Sequence, residues 1–326
     1  MERILIIQSA FIGDVVLATP IIEKLAVHFP EAKIDFLLKR GNQKILQNHP
    51  KLNKVYIWKQ NEFRHLFKLS SIFKRNKYDL VLNLQRTIAS GLITVLSGAK
   101  VKIGFSKNPF SFLFDEKVFY KFNGKHESSR NLGLIQSLTD KTYISPKLYP
   151  QKMDYAAVAK YQEFPYLCIA PSSYWKTKEF PQVKWIELII SLDDHWIIYL
   201  LGGKEDFSFC EEIRTHAERK NVINLAGKLE VLASAALMEK AKMNYVNDSS
   251  PLHIASAMNA SINAVFCSSA PYFGFGPLTI NSKVIEVEKE LSCKPCAVHG
   301  KNECPLGHFD CAHSINIKQF DKPKIK

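Results

Sequence analysis

The chain has 326 residues, 46% of them hydrophobic and 23% charged, with a formal net charge of +13. This is the composition of a soluble globular protein; it excludes a disordered, fibrous or low-complexity chain, and the length suits two domains of about 150 residues each. The first 150 residues hold 24 Lys and Arg against 11 Asp and Glu while the remainder is balanced, so the excess positive charge sits in the first half and points to an anionic partner.

Arg3 followed by an apolar run to Gly13 resembles a short signal peptide, but Glu2, the brevity of the run and Asp14 at its end favour a mature N-terminus. The longest later uncharged stretch, Thr87 to Ala99, falls short of the roughly 20 apolar residues that span a bilayer. The 7 cysteines are either scattered in apolar segments or crowded between Cys293 and Cys311, which is not a disulfide framework. A reducing, cytoplasmic setting is expected.

In chain order, strands are predicted at 3–7, 33–38, 54–58, 80–84 and 100–104, with helices near 15–28, 42–47, 62–74 and 87–96 between them. Such alternation predicts a parallel, doubly wound α/β sheet. Pro20 falls inside the first helix and is expected to kink it. A helix is predicted over 126–138, followed by a polar stretch without period that holds Pro146 and Pro150. The expected division is a first domain over 1–145, a linker over 146–160 and a second domain over 161–326 with a cysteine-rich tail.

The second half repeats the alternation with strands at 166–170, 196–200, 222–225, 243–246 and 261–266 and helices at 181–192, 205–219, 229–241 and 251–258. Two doubly wound domains facing one another across a cleft are expected.

The first strand runs into Gln8-Ser9-Ala10-Phe11-Ile12-Gly13-Asp14 and then a helical pattern, placing Asp14 at a helix start, where the dipole favours a carboxylate. An N-cap is the simplest role there, yet turns of this kind also carry ligands in α/β proteins. In the second half Asn247-Asp248-Ser249-Ser250-Pro251-Leu252-His253 follows a strand and opens a helix, a geometry that suits a phosphate on backbone N–H groups and a sugar hydroxyl on Asp248. The loop from Pro171 to Pro181 supplies hydroxyls and lysines at another sheet edge, as an anionic leaving group requires. Gly202-Gly203-Lys204-Glu205-Asp206 is a third such turn. Neither a G-x-G-x-x-G nor a Walker pattern follows the first strand of either half, which argues against a dinucleotide oxidoreductase or a P-loop NTPase.

The opening I-L-I-I-Q-S-A-F-I-G-D-V-V-L-A-T-P, the loop P-S-S-Y-W-K-T-K-E-F-P and the turn N-D-S-S-P-L-H-I-A-S-A resemble glycosyltransferase family 9, the bacterial lipopolysaccharide heptosyltransferases. The resemblance implies a GT-B fold and an inverting, metal-independent transfer from a nucleotide heptose, usually ADP-heptose, to the inner core of lipopolysaccharide. By the same resemblance Asp14 is the general base and Lys178 the lysine near the donor phosphates. Ser172 and Ser173 share the donor loop, Asp248 binds the donor sugar, Ser249 and Ser250 cradle the pyrophosphate beside His253, Asp206 or Glu205 takes the ribose, and Leu229 lies near the adenine. Ser250-Pro251 stands where many members carry Gly, which leaves the donor less defined than the reaction.

The basic first half is then expected to meet an anionic glycolipid, through Arg64 and Lys68 on a helix that also carries Phe63, Leu66, Phe67 and Phe73, and through Arg86 and Arg130. Binding would be peripheral, at the inner face of the inner membrane; the aromatic stretch 105–122 either packs in the core or dips into headgroups. No nucleic-acid module accompanies the basic residues. Cys293, Cys296, Cys304 and Cys311 follow C-x2-C-x7-C-x6-C, a spacing able to close a structural zinc site, with free thiols as the alternative. No cofactor is expected for catalysis. Two competing readings keep the fold: a different nucleotide-sugar donor such as UDP-N-acetylglucosamine, or an inactive sugar-nucleotide or glycolipid binding protein, against which the presence of both Asp14 and Lys178 argues.

Overall fold

In the computed structural model, residues 1–59 and 62–324 are described, the side chain of Phe63 excepted. The chain divides into two compact units, Met1–Tyr149 and Pro150–Lys326.

The first unit contains β1 (Arg3–Ile7), α1 (Ile12–His28), β2 (Lys33–Lys39), β3 (Lys54–Trp58), α2 (Phe63–Asn76), β4 (Leu80–Asn83), α3 (Ile88–Leu96), β5 (Val101–Phe105), β6 (Glu116–Val118) and α4 (Glu127–Gly133). Its six strands are parallel in the order β3-β2-β1-β4-β5-β6. Ile4 to Ile7 of β1 are fully buried, since helices cover both faces of a central parallel strand. Each such side chain contributes about 1.5–3 kcal/mol of burial.

The second unit contains α5 (Lys152–Val158), β7 (Tyr166–Ala170), α6 (Gln182–Ser191), β8 (Ile197–Leu200), α7 (Phe207–His216), β9 (Val222–Asn224), α8 (Val231–Lys240), β10 (Asn244–Asn247), α9 (Ser250–Ala257), β11 (Ile262–Val265), β12 (Ser282–Ile285) and α10 (Asp310–His313). Its sheet, again parallel, has the order β12-β11-β10-β7-β8-β9. Read from β9, this is the strand order of the first unit. Phe320, near the chain's end, packs against Phe180, Trp185 and Tyr245 and closes one side of this core.

Several elements differ from the sequence expectations: the helix expected over 42–47 is a single 3-10 turn, Gln43–Ile45, and the one expected over 126–138 ends at Gly133. β6 and β12 are short edge strands with partly exposed residues, so neither carries the apolar run that marks a strand. The expected linker contains α5, started by a capping box in which Gln151 N donates to Asp154 Oδ2 (2.7 Å) and held to α8 by Tyr155 Oη donating to Glu239 Oε2 (2.8 Å).

The helix α1 runs unbroken through Pro20. Proline cannot donate to Val16 O one turn back, but Thr19 Oγ1 donates to that carbonyl instead (2.8 Å). The same oxygen accepts from Lys147 N (3.0 Å). Thr19 is fully buried, so Thr19→Val removes this partner from the buried Val16 carbonyl and from the Lys147 amide. We expect this substitution to lower unfolding free energy by about 1–3 kcal/mol in urea titrations; a change within error would remove the hydroxyl's bracing role.

Candidate functional site

In each unit the strand order reverses beside the first strand, between β1 and β4 and between β7 and β10. The loops leaving these strands diverge there, and α/β proteins place ligands in the resulting gap. Both flanking fourth strands end in a fully buried asparagine, Asn83 or Asn247.

In the first unit the turn after β1 is braced on several sides. Gln8 Oε1 accepts from Ala10 N (3.2 Å) and from Gln85 Nε2, which follows β4, while Asn42 Nδ2 donates to Ala10 O (2.9 Å). Phe11 is the N-cap of α1, and Asp14 is its third residue, accepting from Phe11 N at Oδ2 (3.2 Å). Asp14 therefore sits at N3 and not at the N-cap itself, and its carboxylate satisfies the N-cap amide at the positive end of the helix, which explains why an acid opens α1. Lys39, the last residue of β2, stands beside this turn with its Nζ 4.2 Å from the centre of the Phe11 ring. Burial pushes the Lys39 ammonium below the ordinary lysine range, and Asp14 pulls it back up.

The basic residues of this unit fall into two groups. Arg64 and Lys68 lie exposed on the first turns of α2, where Leu66 and Phe73 turn inward while Phe67 does not. Arg86, which follows β4, stacks 4.0 Å above the Tyr120 ring, and Arg130 approaches the same ring at 4.9 Å. Arg130 is buried: its Nε donates to Glu127 (2.7 Å) and its guanidinium to Lys125 O (2.5 Å). Tyr120 Oη also donates to Glu127 (2.6 Å), so one buried carboxylate organises both arginines on one ring.

In the second unit Asn247 connects the two loops that matter. Its Nδ2 donates to Pro171 O (2.6 Å) and its Oδ1 accepts from Phe180 N (3.0 Å), spanning both ends of the loop after β7. Within that loop Ser173 N donates to Glu179 Oε2 (3.0 Å), and Lys176 Nζ pairs with the same carboxylate (2.9 Å). Ser172 and Ser173 are half-buried. Lys178, by contrast, is buried and its Nζ lies 2.6 Å from Asp248 Oδ2, which also accepts from Ser269 Oγ (2.5 Å). A buried ion pair with a third polar partner holds its geometry, because breaking it strands a charge away from water.

Ser249 is the N-cap of α9, with Pro251 in its first turn. The Ser249 amide donates to Asn247 O (2.7 Å), so it is engaged within the turn; the Ser250 amide, first in the helix, has no intrahelical acceptor. His253 is buried further along α9, its ring 6.3 Å from that of Phe275.

In the turn after β8, Asp206 Oδ2 accepts from Gly203 N (2.7 Å) and closes the 3-10 turn Lys204–Asp206 that leads into α7, while Glu205 is exposed. Gly227 N donates to Gly202 O (3.0 Å), bringing the turn that carries half-buried Leu229 against this one. Gly227 has φ +72°, and a side chain there would collide with Lys204 Cα, so glycine is required for the approach.

The four clustered cysteines do not form the tetrahedral zinc site that their spacing suggests. Among the described residues no group of three or more His, Cys, Asp or Glu side chains is arranged to hold a metal. Cys296 Sγ donates to Cys293 O (3.2 Å), and Cys311 is buried, which together with its neighbouring thiols pushes its thiol up to about 12.

Lys39, Thr177, Ser268 and Ser269 join the two sites without having been singled out in the sequence. Ser269 Oγ contacts a residue 21 positions away and Ser268 Oγ one 91 away, distances at which no local pattern reports.

The profile of glycosyltransferase family 9 (heptosyltransferase) matches residues 66–306. Lipopolysaccharide heptosyltransferase 3 of Escherichia coli is 28% identical over 281 residues, covering 78% of this chain and 81% of its own. The solved structure of E. coli ADP-heptose lps heptosyltransferase II has a TM-score of 0.78 at 21% identity, covering 91% of this chain and 96% of its own. That of a glycosyl transferase family 9 protein from Veillonella parvula has a TM-score of 0.79 at 18% identity, with coverages of 87% and 85%. The fold is thus GT-B, the chain belongs to glycosyltransferase family 9, and it is a glycosyltransferase.

Proposed function

We propose that the protein transfers a heptose from ADP-heptose to the inner core of lipopolysaccharide with inversion and without a catalytic metal. The observation that carries this reading is the buried Lys178–Asp248 pair with Ser269, set beside the start of α9 at the strand-order reversal of the second sheet. The first unit takes the acceptor and the second the donor. The Lys178 ammonium and the Ser250 amide stabilise the negative charge that develops on the leaving diphosphate, with Ser172 and Ser173 on the same loop. Asp248 already receives two donors at Oδ2, and its Oδ1 takes a sugar hydroxyl. His253 supports α9 from within, while Asp206 and Leu229, on adjoining turns, suit a ribose and a purine face.

Asp14 is the general base: its carboxylate accepts the proton of the acceptor hydroxyl as that oxygen attacks the anomeric carbon and the bond to the diphosphate breaks. The braced turn from Gln8 to Phe11 fixes its position. Asp14→Asn should lower kcat by about 10²- to 10⁴-fold while leaving ADP affinity unchanged in calorimetry; near-native turnover would remove Asp14 from this role.

In a calorimetric screen of nucleotide sugars, ADP-heptose should bind at least about tenfold tighter than UDP- or dTDP-sugars, a difference of about 1.4 kcal/mol. Preference for a uridine donor would replace the heptose reading and leave the glycosyltransferase in place.

The acceptor is an anionic glycolipid, met by Arg86 and the exposed Arg64 and Lys68, with Arg130 bracing the Tyr120 ring on which Arg86 stacks. Among the described residues no helix is long and apolar enough to cross a membrane. Peripheral attachment at the inner face of the inner membrane is supported by the edge of the first sheet, where Phe112 is 70% and Phe119 79% exposed beside exposed Lys117 and Lys121. The protein should float with phosphatidylglycerol vesicles and not with phosphatidylcholine vesicles, and Phe112→Ser with Phe119→Ser should abolish flotation. Equal flotation of this double variant would place the contact elsewhere.

A further inference from the structure

Thr177 makes four hydrogen bonds to two distant segments. Its amide donates to Lys301 O (3.0 Å) and Lys301 N donates back to its Oγ1 (2.8 Å). Its carbonyl accepts from Ser268 N (3.3 Å), and its Oγ1 accepts from Ser268 Oγ (3.0 Å). Thr177, Ser268 and Ser269 are all buried. The residues one step further along each segment, Lys178 and Ser269, are the two that meet on Asp248 Oδ2.

The clamp is backed by the cysteine-rich segment. Cys296 N donates to Ser268 O (2.9 Å), and Lys301 supplies both of its backbone groups to Thr177. Between them, Gly300 lies so close to the donor loop that a Cβ would stand 2.4 Å from Trp175 Cβ and 3.0 Å from Lys178 Cγ. The segment therefore lies directly against the aliphatic stem of Lys178 and limits where its ammonium can go.

We propose that Thr177 is a positioning residue for sugar transfer. Its hydroxyl joins Ser268 to Lys301 and so fixes the spacing between Lys178 and Ser269, which holds the ammonium at the donor diphosphate. This rests on the reading of Lys178 and Asp248 as donor-site residues. The hydroxyl is the necessary group: a β-branched side chain without it keeps the volume and loses both bonds.

Thr177→Val and Thr177→Ser separate these contributions, with ADP affinity read by calorimetry and transfer kinetics read with ADP-heptose. Thr177→Val should weaken ADP binding and raise the donor KM by about tenfold, and Thr177→Ser should stay within about threefold of the wild type. The acceptor KM should not move, whereas general loosening of the unit would lower kcat without this selectivity. Should Thr177→Val fail to fold, Ser268→Ala removes one of the two bonds to the hydroxyl and should raise the donor KM in the same direction. Wild-type ADP affinity in Thr177→Val, or equal impairment in Thr177→Ser, would overturn the positioning role. Lys178→Ala is the control for the site itself: if it weakens ADP binding and Thr177→Val does not, only the positioning inference falls, and if neither does, the donor-site reading falls with it.

Discussion

The side chain of Asn247 is the constraint on which the arrangement of loops around Asp248 depends. It is fully buried at the end of β10, next to β7, and it ties the two ends of the loop that follows β7 through Pro171 O and Phe180 N. A loop anchored at both ends has few conformations left to lose, so Lys178 is delivered to Asp248 at little further entropic cost. Asn83 occupies the corresponding strand end in the first unit, where its Oδ1 accepts from Gln85 N (2.8 Å) and its Nδ2 donates to Thr94 Oγ1 (2.8 Å). The repeated strand order thus carries a repeated amide at its reversal point, although the surrounding sequences differ.

The Lys178–Asp248 pair follows from this anchoring and is not the origin of stability. Two charges taken out of water lose hydration that their mutual attraction roughly restores, so a buried pair is retained for geometry more than for folding energy. The second donor, Ser269, shares the carboxylate and restricts its rotation. In the first unit the turn carrying Asp14 obeys another rule. Its acid accepts from the N-cap amide, so one carboxylate satisfies the backbone and stands at the positive end of α1.

Much of this architecture is legible in the sequence because buried parallel strands are continuous apolar runs and their helices keep a 3.6-residue period. β1, β2 and β7 carry such runs and lie within a residue of their expected bounds. β6 and β12 were missed because three- and four-residue edge strands need no apolar run. The local turns around Asp14 and Asp248 were visible as polar interruptions between strand and helix. Their partners were not: Lys301 reaches Thr177 across 124 positions, a pairing that only the folded sheet creates. The cysteine spacing is a poor guide for a related reason, since spacing records loop lengths and not how the folded chain arranges the side chains, and among the described residues no metal-holding group results.

Thr19 shows how one hydroxyl can merge two events that would otherwise be separate. It donates into α1 at the carbonyl that Pro20 leaves unserved, and it accepts from the chain at Lys147, just before the first unit ends. The end of this unit therefore cannot fray without disturbing the middle of its first helix. Opening becomes a shared, cooperative fluctuation, and the amide of Lys147 is shielded from solvent exchange as though it belonged to the helix.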